Sequence, residues 1–164
     1  MRRVWGSCVA AACLALVVLA ACNSGGGGAP KRDPADLGKE IAETYLKMID
    51  EVGVAMAATP DPAALHPQVD ALKTKYIDAF VVLGRQRQAL APTDREKCDN
   101  VAQTRMRQVS TDILDAMDEL AASCKETDAE LAQHFAELRR LTRYASFDQL
   151  KTQLPDEAAR LGIK

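Results

Sequence analysis

Apolar side chains recur at intervals of three and four along most of the chain. Leu37, Ile41, Tyr45, Met48, Val52 and Met56 form a first stripe, the spacing of one helix face turned toward a core. Asp33-Pro34 opens it, with a capping carboxylate before a proline at the first helical position. Thr59-Pro60-Asp61-Pro62 closes it. A short helical turn is expected over Pro62 to Leu65, after which His66-Pro67 restarts the chain. Val69, Leu72, Tyr76, Phe80 and Leu83, closed by Leu90, then mark a second long helix from about Pro67 to Leu90. Gly84 interrupts it at a cost of ~1 kcal/mol relative to alanine, and Pro92 stops it.

Thr93-Asp94-Arg95-Glu96 has the form of a capping box. Cys98, Val101, Ala102, Val109, Ile113, Ala116, Leu120 and Cys124 continue the stripe, and no Gly or Pro interrupts Asp94 to Cys124. One continuous helix is the expectation. The alternative is a fold-back near Gln108-Val109-Ser110-Thr111, with Ser110 as N-cap. Two more capping boxes follow, Thr127-Asp128-Ala129-Glu130 and Ser146-Phe147-Asp148-Gln149. The first should open a helix with Leu131, Phe135, Leu138 and Leu141 inward. The second opens a short helix, and Pro155 a last turn ending near Gly162. Phe80-Val81-Val82-Leu83, the one β-like run, lies inside a helical period. The pattern predicts an all-α, up-and-down antiparallel bundle of four-helix type over residues 35–164, with one or two short C-terminal helices.

The start of the chain reads differently. Met1-Arg2-Arg3 is a short positive segment, and Val4 to Val18 is uncharged and almost wholly apolar. That run falls short of the ~20 residues needed to span a bilayer as a helix and fits a secretory signal. It ends in Leu19-Ala20-Ala21-Cys22, which resembles the lipobox of bacterial lipoproteins. The resemblance covers only the leader and the first mature residue. It implies cleavage between Ala21 and Cys22, a diacylglyceryl group on the Cys22 sulfur and an acyl group such as palmitate on its amine. Two or more acyl chains anchor stably where one does not. Asn23, in place of Asp, favours by family analogy the periplasmic face of the outer membrane in a Gram-negative cell. Residues 22–34, rich in glycine, read as a flexible tether reaching ~20 Å.

Loss of Arg2 and Arg3 with the leader leaves 19 basic and 23 acidic side chains, a net charge of −4. An interspersed, mildly acidic surface argues against nucleic acid as a partner. Cys98 and Cys124 are the thiols left over. On one straight helix they stand ~39 Å apart, against the ~7 Å a disulfide permits, so no intrachain bridge is expected.

Motifs for chemistry are sparse. His66 sits in a connection and His134 beside Phe135, with no HExxH or CxxCH. The alternative is a ligand or cofactor carrier, with haem held by Met48 or Met56 and His134, or an apolar molecule, between the helices. Asp112, Asp115 and Glu119 share a face, as do Glu126 and Glu130, and read as solvated helix surface. Arg139, Arg140 and Arg143 suit a helix C-terminus. No catalytic residue, metal ligand or cofactor is assigned. The expectation is a lipid-anchored, non-enzymatic envelope module that works by contact with a protein partner.

Overall fold

The computed structural model describes residues 32–164. The expected signal segment 1–21, the expected Ala21–Cys22 cleavage junction and the expected tether up to Lys31 lie outside the described residues. The described chain is all-α: α1 Pro34–Ala58, α2 Pro62–Gln88, α3 Pro92–Met106, α4 Thr111–Cys124, α5 Ala129–Leu138, a 3-10 turn Leu141–Ala145, α6 Phe147–Gln153 and α7 Pro155–Arg160. None of these helices is long and apolar enough to cross a membrane.

Asp33 caps α1 through a bond from the Ala35 amide, and Leu37, Ile41, Tyr45, Met48 and Val52 are buried as their spacing requires. A three-residue link folds α2 back along α1. α3 lies on α1, α4 packs mainly on α5, and α5 also rests on α2. The core is shared: Phe80 from α2, Met117 from α4, and Leu131, Phe135 and Leu138 from α5 are all sealed from solvent. Arg87, buried at the end of α2, reaches α3 through a two-toothed bond to Asp99 at 2.7 and 2.6 Å.

Four expectations need correction. Residues 94–124 are two helices, separated at Arg107–Ser110, where Gln108 and Val109 bond back only three residues. The reason lies in packing: α3 buries Cys98 and Ala102 against α1, whereas α4 turns Met117 and Cys124 toward α5. A straight rod cannot serve both neighbours. Ser110 holds the N-cap position without a side-chain cap bond. The box at Thr93 does not form either, because Ala91 is the N-cap and Pro92 takes the first helical position.

His66-Pro67 is not a restart. α2 runs from Pro62 through Pro67, and Asp61 caps it. Proline inside a helix forfeits one backbone bond and crowds the preceding turn. Here Leu65 and Val69, both fully buried on either side of Pro67, pin the two turns together. Finally, α5 is capped by Asp128 rather than Thr127, with the Asp128 carboxylate accepting from the Leu131 amide at 2.9 Å.

Cys98 and Cys124 are free thiols, each buried, on separate helices. Burial pushes the Cys98 thiol up to about 11, which keeps it protonated and poorly nucleophilic.

Candidate metal centre

The last two corrections set up a site. Because α2 continues through Pro67, His66 stands on a helix one turn before Asp70. Because Asp128 caps α5, Glu130 is left free in its first turn, one turn before His134. The packing of α5 on α2 brings the two turns face to face. Ligand atoms of His66, Glu130 and His134 all lie within 4.8 Å of one another. His66 Nε2 is 3.9 Å from one Glu130 carboxylate oxygen, and His134 Nε2 is 3.9 Å from the other. Asp70 Oδ1 comes within 3.8 Å of His134 Nε2. The two imidazole rings meet edge to face with centroids 5.2 Å apart.

Neighbouring groups fix this arrangement. Asp128 is held below the usual carboxylate range, first by the Leu131 amide bond and also by His66. It is therefore ionised near neutrality and can only accept. The 2.8 Å contact to His66 Nδ1 must then be an N–H donated by the ring. That tautomer leaves the Nε2 lone pair facing Glu130. A carboxylate behind a histidine is the arrangement that orients imidazole toward metal ions.

His134 differs. It is buried, and its Nδ1 has no hydrogen-bond partner among the described residues. Burial first, then the nearby Lys73 ammonium, push this imidazole below its ordinary range, so the neutral form is favoured. Because the folded value lies below the unfolded one, the stabilisation is complete above about pH 6.5 and is lost as pH falls through the folded value. Urea midpoints should accordingly drop between pH 7.5 and 5.5, and H134Q should flatten that slope. A parent slope unchanged by H134Q would contradict the assignment.

Two imidazoles and one carboxylate, with Asp70 beside His134, make a donor set suited to a borderline divalent ion. A tetrahedral ion with bonds of ~2.0–2.1 Å spaces its donors by about 3.3 Å. The cluster must therefore draw in by roughly 0.5–1.5 Å to close on such an ion. Glu130, the most exposed of the three, can move to do so; its side chain is 73% exposed. His134 Nε2 faces the carboxylates of Asp70 and Glu130.

Sequence spacing could not give this site. Its halves lie 60 residues apart, and His66 looked like part of a loop. The signal present in the chain is a pair of one-turn motifs, His66-x-x-x-Asp70 and Glu130-x-x-x-His134. The other acids remain separate: Asp118 pairs with Arg139 across α4 and the end of α5. No protein-family model, curated protein or solved structure matches the chain.

Proposed function

We propose that this protein is a lipid-anchored module of the cell envelope that binds one zinc-class divalent ion between α2 and α5, acting by binding rather than turnover. The observation that carries the metal reading is the convergence of His66, Glu130 and His134 at ligand distance, with Asp128 orienting His66. Asp70 Oδ1, 3.8 Å from His134 Nε2, is a further carboxylate that a bound ion can recruit, and a fourth protein donor would favour holding an ion over activating water. The anchor reading rests on Leu19-Ala20-Ala21-Cys22 and the glycine-rich tether after it. A contact with an envelope protein partner that accepts or donates the ion belongs to the same proposal.

One measurement tests both halves. Native mass spectrometry of protein released from membranes should show residues 22–164 plus a diacylglyceryl and an acyl group, and one zinc ion per chain after incubation with the metal. A bare sulfhydryl on Cys22 or an intact leader overturns the anchor. Failure to retain zinc overturns the metal centre.

A further inference from the structure

Lys73 stands where a metal centre has no evident use for a positive charge. It follows Asp70 by three residues on α2, and its Nζ lies 3.9 Å from Asp70 Oδ1. The same Asp70 oxygen is the one that approaches His134 Nε2. On its other side Lys73 bonds to Glu137 of α5 at 3.0 Å, and Glu137 is held in turn by Gln133. Its side chain is only 18% exposed, so the ammonium cannot swing freely into solvent. Asp70 is thus shared between a resident cation and the imidazole face of the cluster.

We propose that Lys73 is a built-in competitor for the metal ion, an ammonium that holds Asp70 when no metal is bound and so makes the bound ion exchangeable. The inference rests on the metal reading above and adds to it how tightly the site holds. A divalent ion that recruits Asp70 must take that carboxylate from Lys73 and then sit one carboxylate away from the ammonium. Two like charges totalling three units at such a separation repel measurably even through a water-like dielectric. A second feature acts in the same direction. Ligation through His134 Nε2 requires the ring proton on Nδ1, which is buried without an acceptor among the described residues, and a buried donor left unsatisfied weakens binding. A site built only to brace the fold would carry neither handicap. One that takes up an ion and passes it on to another ligand gains from both.

The test is zinc affinity of the purified protein, read by competition with a chromophoric chelator. K73M should bind zinc about tenfold more tightly, on the Coulomb estimate for one ammonium removed from beside the ion. It should also release zinc to excess chelator correspondingly more slowly. K73R, which keeps the charge, should stay within about twofold of the parent. K73Q keeps a polar end for Glu137 and serves as a second neutral variant, with circular dichroism checking that each is folded. Because the effect is electrostatic, the gain should shrink in 0.5 M salt. Equal or weaker affinity in K73M and K73Q overturns the competitor role while leaving the metal centre standing. If the parent itself binds no zinc, the metal reading fails, and this inference falls with it.

Discussion

Replacing His66 or His134 with alanine is expected to weaken zinc binding by at least ~100-fold, beyond the ~10–100-fold typical of losing a residue that only orients a ligand. Each supplies an imidazole nitrogen, the donor that a borderline ion prefers to a carboxylate oxygen. D128N should fall in the smaller range, because it leaves His66, Glu130 and His134 in place and removes only the acceptor that fixes the His66 tautomer. The ordering matters more than the size. Should D128N cost as much as H66A, or H134A leave affinity unchanged, the roles assigned to these residues are wrong. H134A also empties a buried position, so its helicity must be compared with that of H66A, where the side chain is partly exposed.

The second large effect concerns how α1 and α3 approach. A Cβ at Gly38 would lie 2.4 Å from the Cys98 carbonyl oxygen and 3.0 Å from Val101 Cβ. The obstructing atom belongs to the backbone of α3, so the helices must part. Overpacking of this kind typically costs 1–3 kcal/mol, occasionally more, offset by the ~1 kcal/mol by which alanine outranks glycine in a helix. Because the obstructing atom is backbone and cannot turn aside, the upper end of that range applies, and Gly38→Ala is expected to destabilise by about 2 kcal/mol, lowering the melting temperature by roughly 5–10 °C. Gly53→Ala is the control. Its Cβ would meet only side-chain atoms of Ile113 at 3.2–3.5 Å, which can give way, and stability should stay within about 1 kcal/mol of the parent. Equal melting temperatures for the two variants would show that α1 and α3 are not in backbone contact at Gly38.

These cases show where the chain declares its structure and where it does not. The stripes of α1 and α5 were legible because a single face of each helix is buried, so period and burial coincide at Leu37, Ile41 and Met48 and at Leu131, Phe135 and Leu138. Punctuation was less reliable. Pro67 read as a boundary, yet Leu65 and Val69 bury on both sides of it and carry the helix through. The uninterrupted run from Asp94 to Cys124 read as one rod, yet its two halves serve different neighbours. Gly84 read as a local weakness. In the structure a side chain there would strike the Phe147 ring at 2.5 Å and the Tyr144 carbonyl at 2.7 Å, so the glycine lets the C-terminal segment seat on α2. A candidate metal centre assembled across such a junction inherits every error made at the junction. His66 assigned to a loop has no turn-mate, and Glu130 assigned to a capping box has no reason to face His134.

A shared metal centre requires two imidazoles that present Nε2 to a common point, and the chain contains only two histidines. Long-range proton–nitrogen NMR of the purified protein can therefore follow both rings without ambiguity. Before metal is added, His66 should carry its proton on Nδ1. On titration with one equivalent of zinc, the Nε2 resonances of His66 and His134 should shift together, with Nδ1 protonated in both. Spectra that stay unchanged at saturating zinc, or a shift confined to one ring, would contradict a shared metal centre between α2 and α5.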